Sequence, residues 1–341
     1  MSRILPPTPA NLARAAACLR AGGLVALPTE TVYGLAANAR DDEAVARIFA
    51  AKGRPQDHPL IVHVADAEAA LAWAGAWSPA AETLAAHFWP GPLTLIVARG
   101  RDVSLAVTGG LPTVALRVPA HPVALAVLQA FGGGVAAPSA NRFGAVSPTT
   151  AAHVAEGLGD AVDLILDGGP CHVGVESTIV DVSQYDSGSG VAAVLRPGGV
   201  AVEALSEALG QRVAVRGEAR HTEVRAPGQL PSHYAPDAQV RLVPEAELPA
   251  EAATLAAAGL SVAVLTGSPE ADWPPGVVPI AFPREPEAAA RRLYEALREV
   301  DRQGCHVVLG ALPAERGLGL AVADRLRKAA GPRSPDGKSH P

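Results

Sequence analysis

AAKGRPQDHPLIVHV, residues 50–64, holds the turn on which the fold reading depends. Upstream of it, Asp42–Ala51 is acidic at its front and rich in alanine behind, the pattern of a helix with its charges matched to the dipole. Downstream, PLIVHV is a short apolar run with β-branched residues and reads as a buried strand. A helix that hands over to a buried strand through one short loop is the repeating unit of an α/β domain. The same stretch carries Lys52, the only lysine among the first 327 residues; of 28 basic residues, Lys52, Lys328 and Lys338 alone are lysines.

The alternation extends in both directions. Asn11–Ala21 reads as an Ala-rich helix stopped by Gly22-Gly23, and LVALPT after it as a strand. Further strands are expected at 93–98, 113–118, 135–139, 164–168, 177–182 and 192–198, with helices at 66–75, 79–87, 121–131, 149–156 and 200–209. Together they make one α/β domain over residues 1–211. Residues 212–236, RVAVRGEARHTEVRAPGQLPSHYAP, lose all periodicity and are expected to form a long connector, either disordered or functional; with the chemistry implied below, its Pro, Gly and Tyr suit a lid over the active site. From 237 to 330 strand and helix patterns alternate regularly, which predicts a smaller, doubly wound (Rossmann-like) parallel domain. GLGLAV (317–322) lacks the full dinucleotide spacing and does not follow a first strand. Residues 331–341 are rich in Pro, Gly and Ser and are expected to be a disordered tail.

Composition narrows the class. With 341 residues and 49% hydrophobic content the chain can build two cores. Cys18, Cys171 and Cys305 are isolated, without a CxxC pair, which argues against a disulfide framework or zinc knuckle and fits a reducing compartment. No signal-peptide pattern and no apolar run near ~18 residues is present, so a cytoplasmic protein without a membrane span is expected. Residues 1–211 hold 12 Lys+Arg against 18 Asp+Glu, and 212–341 hold 16 against 16. Neither half has the basic excess of a duplex nucleic-acid binder.

Three stretches concentrate groups that bind anions. PTETVYGLAAN (28–38) follows a strand and reads as a hydroxyl-bearing turn, its threonines either ligands or caps. KGRPQDHP sets Lys52 beside Arg54, with His58 in a loop stiffened by Pro55 and Pro59; the cations either complement the helix terminus or face an anion. VAAPSANRFGAVSPTTA delivers Ser139, Asn141 and Ser147 beyond a strand end, again as ligands or caps, with no local base that would make Ser139 a nucleophile. Arg117 in VALRVP and Arg196 in AVLRPG interrupt apolar strands and must find an anion or solvent.

PTETVYGL, KGRP with HPLIVHV, TVALRVP, APSAN with SPT downstream, GVESTIVD, VLRPGG and APGQLPSHYAP occur in one order over residues 10–236. In that order they resemble the YrdC family in its two-domain form. The resemblance implies a YrdC-like twisted mixed sheet with flanking helices, followed by a small C-terminal α/β domain. It implies condensation of L-threonine, bicarbonate and ATP, with Mg2+, into threonylcarbamoyl-adenylate and pyrophosphate, a nucleotidyl transfer. The product would pass to tRNA threonylcarbamoyltransferase proteins, so a tRNA contact by this chain is not required. By motif, the threonine side would hold Thr31, His63, Arg117, Ala137 and Ser177. The ATP side would hold Lys52, Arg54, His58, Thr113, Ser139, Asn141, Ser147, Arg196 and Tyr234, with Lys52, Arg54, Ser139 and Asn141 nearest the chemistry. A non-catalytic RNA-binding module and a carbamoyl-transfer maturation factor are the rival readings. The first would need a basic groove and the second cysteine-rich zinc segments.

Overall fold

The computed structural model describes residues 3–184, 192–215, 226 and 233–332. Most of the expected lid (216–225 and 227–232) and nearly all of the expected tail (333–341) lie outside these residues. The chain divides into two compact units, Met1–Arg142 with Pro148–Gln229, and Phe143–Ser147 with Leu230–Pro341.

The first unit is built on one sheet of eleven strands among the described residues. They are β1 (Ile4–Leu5), β2 (Val25–Leu27), β3 (Gly34–Asn38), β4 (Ile61–His63), β5 (Leu93–Ala98), β6 (Thr113–Arg117), β7 (Val135–Ala136), β8 (Leu164–Leu166), β9 (Thr178–Asp181), β10 (Ala193–Arg196) and β11 (Ala214–Val215). Their order is β1-β8-β2-β3-β7-β4-β6-β5-β9-β10-β11, with parallel and antiparallel neighbours mixed. The expected strands are all present. β3 is an addition: the second half of PTETVYGLAAN, read above as a turn, pairs antiparallel with both β2 and β7. Its alanines have little strand propensity, and tertiary pairing makes the strand.

Strand alternation divides the side chains between two faces. On one face Val62, Leu95, Leu116, Ala136 and Val180 join a core sealed by helices Asp42–Lys52, Pro79–Phe88, Ala151–Leu158 and Val202–Leu209. The opposite face carries two separate clusters. Over β8, β2, β3 and β7, helices Pro9–Arg20 and Pro122–Phe131 pack Ala15, Leu19, Val123, Val127 and Leu128 onto Val25, Leu27, Ala36, Val135, Leu164 and Leu166. Over β4, β6, β5, β9 and β10 no described helix contributes to the cluster; among the described residues, Ile61, Ile96, Ala115, Ile179 and Leu195 are joined there by Ala226, with Ala193 packed against them.

The second unit contains four parallel strands, β12 (Gln239–Leu242), β13 (Val262–Thr266), β14 (Val277–Ala281) and β15 (Val307–Gly310), ordered β12-β15-β13-β14. Helix Leu248–Ala257 packs on Val262, Val264, Val307 and Leu309, while helices Pro286–Arg302 and Leu318–Ala329 pack on each other, the doubly wound layout expected. Segment Phe143–Ser147 belongs here: Ala145 bridges Ala235, the Ala235 amide donates to Gly144 O at 3.0 Å, and Arg298 Nη2 donates to Val146 O at 2.7 Å. Tyr234 adopts a positive φ of 63°, rare for a bulky residue, with its ring buried beneath the Arg325 guanidinium and beside Tyr294. No described helix is long and apolar enough to cross a membrane.

Candidate functional site

Lys52 is the last residue of its helix because Gly53 follows in the left-handed conformation (φ 63°), and the amides of Gly53 and Arg54 return to Ala50 O and Phe49 O. That is a Schellman ending, which turns the chain sharply toward β4. The Lys52 side chain is buried, and Nζ donates to Ser139 O at 2.5 Å and to Asn141 O at 2.6 Å. The lysine therefore staples the loop after β7 through two main-chain carbonyls. Burial, and then the neighbouring charge of Arg54, hold its pKa well below the usual lysine value. Arg54 is buried too and donates through Nη2 to Pro59 O at 3.0 Å. His58 and Ser139 are half-buried, and the Asn141 amide donates to Arg142 O.

A second node forms at the ends of β4 and β6, where His63 and Arg117 are register partners. Arg117 Nη2 donates to Glu30 Oε1 at 2.7 Å and to Thr31 Oγ1 at 2.9 Å, and Nε to Gly91 O at 3.3 Å. Glu30 Oε2 accepts the Ala120 amide at 3.0 Å, and Thr31 Oγ1 lies 2.8 Å from Thr29 Oγ1. His63 is buried, with Nδ1 3.3 Å from Ile61 O; burial, and then the charge of Arg117, push its pKa down to about 3. Its imidazole is neutral at working pH, and an Nδ1–H bound to Ile61 O leaves Nε2 as an acceptor. Cys171 nearby is inert: burial, and then Glu30, push its thiol up to about 12.

The third node lies at β9 and β10. Arg196 donates to Ser177 O through Nε (3.2 Å) and Nη2 (2.9 Å), and to Ser177 Oγ at 3.1 Å. Ser177 Oγ is also 2.7 Å from Thr94 Oγ1, both residues being fully buried. The RPGG turn is glycine for a steric reason: a Cβ at Gly198 would stand 2.3 Å from Glu176 O.

The second and third nodes share one sheet face. His63 alternates with Ile61, Thr113 and Arg117 with Ala115, and Thr94 with Ile96, so polar side chains rim the aliphatic floor that no described helix covers. Segment 31–33 ties the nodes together, because Thr31 meets Arg117 while Tyr33 O accepts the Ala140 amide and Gly34 bridges Ser139. The Ala137 amide donates to Ile61 O within the same patch. Of the residues expected from sequence, Thr31, Lys52, Arg54, His58, His63, Thr113, Arg117, Ala137, Ser139, Asn141, Ser177 and Arg196 belong to the first unit. Ser147 and Tyr234 belong to the second. Glu30 and Thr94 were not expected. Alternation with Ile96 pointed to Thr94, whereas nothing local marked Glu30 as the partner of Arg117. A cavity of 490 Å³ lined by Arg40, Asp66, Trp73 and Gly132–Gly134 contains none of these residues.

An aliphatic floor edged by buried cations and hydroxyls defines an α/β protein with a site suited to small anionic molecules. Residues 17–198 match the Sua5/YciO/YrdC family, described as "Telomere recombination", and residues 200–331 match "Threonylcarbamoyl-AMP synthase, C-terminal domain". The chain belongs to the Sua5/YciO/YrdC family. A Pyrococcus abyssi protein named threonylcarbamoyl-AMP synthase is 44% identical over 329 residues, covering 94% of each chain. Its Bacillus subtilis namesake is 40% identical over 334 residues, covering 95% of this chain and 94% of its own. The structure of P. abyssi Sua5 complexed with L-threonine matches with a TM-score of 0.85 at 42% identity, covering 94% of each chain.

Proposed function

We propose that this protein is a threonylcarbamoyl-AMP synthase, a nucleotidyltransferase that converts L-threonine, bicarbonate and ATP into L-threonylcarbamoyladenylate and pyrophosphate. The observation that carries this reading is the guanidinium node at Arg117, linked through segment 31–33 to the loop that the Lys52 ammonium holds, in a chain whose relatives bear that name along nearly their full length. The product serves threonylcarbamoyladenosine formation in tRNA, with the tRNA step left to partner proteins.

The chemistry needs no covalent enzyme intermediate. The amine nitrogen of threonine attacks the carbon of bicarbonate, giving a carbamate with loss of water, or that of carbon dioxide, giving the same carbamate with loss of a proton. A carbamate oxygen then attacks the α-phosphorus, and pyrophosphate leaves with the electrons of the broken P–O bond. Carboxylate, carbamate and triphosphate crowd negative charge, so the protein's task is positioning and compensation. Arg117 takes the amino-acid carboxylate, with Thr31, His63, Ser177 and the backbone at Ala137 around it. Lys52, Arg54 and Arg196 face phosphate, and Ser139, Asn141, Thr113 and His58 complete the nucleotide side in the first unit. Ser147 and Tyr234 are assigned to the nucleotide by the family motif alone.

Magnesium enters as part of the MgATP substrate. Among the described residues no group of three or more His, Cys, Asp or Glu is arranged to cage an ion. The test is pyrophosphate release from ATP with threonine and bicarbonate omitted in turn, and the product identified by mass spectrometry. Dependence on both substrates is expected. ATP hydrolysis indifferent to them would refute the reading.

A further inference from the structure

Glu30 is acidic, nearly buried, and placed where a site for anions should least tolerate a carboxylate. Its side chain is 10% exposed and that of Arg117 5%, so the pair is desolvated on both sides. Burying an ion pair is costly unless further hydrogen bonds satisfy it, and here they do. Both carboxylate oxygens are used, Oε1 by Arg117 Nη2 and Oε2 by the Ala120 amide, while the Glu30 carbonyl accepts the Val173 amide at 2.8 Å. Arg117 is held along one edge by Glu30, Thr31 and Gly91. Among the described residues its Nη1 has no hydrogen-bond partner, and it is not one of the side-chain atoms sealed from solvent.

We infer that Glu30 is a positioning residue for the amino-acid carboxylate: by fixing one edge of the Arg117 guanidinium it leaves Nη1 as the arm offered to the amino acid. The inference rests on the proposed threonine site. A free guanidinium presents a two-pronged fork to carboxylates and phosphates alike. With its inner edge occupied and its charge balanced, Arg117 accepts a single carboxylate at a fixed place and competes poorly for the triphosphate. Glu30 thus separates the amino-acid end of the face from the nucleotide end. Glutamate is the only residue that does this here. Arg117 Nη2 and the Ala120 amide are both donors, so a glutamine, whichever way it turns, sets an NH2 against one of them. Aspartate keeps the charge and both acceptors but withdraws them by one methylene.

The experiment compares L-threonine with threoninol, which lacks the carboxylate, in the wild-type protein and in the Glu30→Gln and Glu30→Asp variants, by calorimetric binding and by pyrophosphate release. The wild type should prefer threonine at least tenfold. Glu30→Gln should raise the threonine Kd and KM about 10- to 100-fold, leave threoninol binding and the KM for ATP within about twofold, and so collapse the preference. Glu30→Asp, the variant better placed to fold, should show the same trend at smaller size. Unchanged preference in folded variants would overturn the inference, as would equal losses toward ATP, threonine and threoninol with a lowered Tm, the mark of a merely structural role. A wild-type protein that neither binds threonine nor releases pyrophosphate in its presence refutes the proposed function itself, and the inference with it.

Discussion

One face of the first unit's sheet has two unlike halves. Over β8, β2, β3 and β7 the inward positions are aliphatic and two helices cover them. Over β4, β6, β5 and β9 every second inward position is polar: His63 beside Ile61, Thr113 and Arg117 around Ala115, Thr94 beside Ile96, and Ser177 beside Ile179. The backbone pairing is continuous across both halves, with β4 and β7 in register through Val62 and Ala136. The difference therefore lies in the side chains. In the second half Arg117, Arg196, Thr94 and Ser177 are buried but hydrogen-bonded, Arg117 to Glu30 and Thr31, Arg196 to Ser177 and Ser177 to Thr94, so their polar groups are satisfied without an apolar helix packed on them. The first half is an aliphatic helix–sheet core, and the second is the half to which the proposed function assigns binding.

The largest effect expected from this division is on the binding side. Lys52→Ala removes the ammonium that grips the carbonyls of Ser139 and Asn141, and should cost about 2 to 4 kcal/mol of transition-state stabilisation, a loss of roughly a hundredfold or more in kcat/KM. Lys52→Arg should also be impaired, because a planar fork does not fit between two carbonyls that a compact ammonium bridges. Circular dichroism would establish that both variants fold, and unchanged turnover in a folded Lys52→Ala would break the assignment of Lys52 to the proposed site.

On the covered half the consequence reverses. Leu19, fully buried under the helix–sheet contact, should on replacement by alanine destabilise the protein by about 2 to 5 kcal/mol, read from denaturant unfolding. Substrate KM values of the remaining folded protein should stay within about twofold. Ala115→Leu places a larger side chain among Ile61, Ile96 and Ile179, between Thr113 and Arg117; it should lower kcat/KM roughly tenfold while costing about 1 to 3 kcal/mol of stability, less than Leu19→Ala. If Ala115→Leu instead behaves like Leu19→Ala, the two halves are one core and the contrast fails.

The smallest effect is a pH dependence. His63 has a folded pKa of about 3 and an unfolded value near 6.5. Between those values the unfolded chain binds a proton that the folded chain refuses, so stability is full above about pH 6.5 and falls as pH drops toward 3. The His63 ring resonance should not titrate between pH 5 and 8, and His63→Gln should flatten part of the acid limb of the stability curve. An inflection near pH 6.5 would place the imidazole in solvent.

Much of this architecture was legible in the sequence, for a physical reason. Strands such as LTLIVA and TVALRV carry β-branched residues in short runs, and the helices between them carry caps such as Asp41, whose carboxylate accepts the amides of Glu43 and Ala44. β3 was hidden because Gly34-Leu-Ala-Ala-Asn38 has no strand signal of its own and exists through its two partners. The cations of the site were visible as misfits, an arginine in an apolar strand and a lone lysine. Their partners were not: the carbonyls that hold Lys52 lie 87 and 89 residues away, and Glu30 lies 87 residues from Arg117. Pairing over such distances is decided by topology, which no local pattern records.

The seven isoleucines of the chain provide the most direct test of the division between halves, since Ile61, Ile96 and Ile179 floor the open half while Ile48 and Ile165 lie in the core of the opposite face and Ile280 in the second unit. Isoleucine δ1-methyl spectra recorded as L-threonine and then MgATP are added should show shifts at Ile61, Ile96 and Ile179, with Ile48, Ile165 and Ile280 unmoved. Shifts confined to the second group, with the floor silent at saturating substrate, would contradict the account.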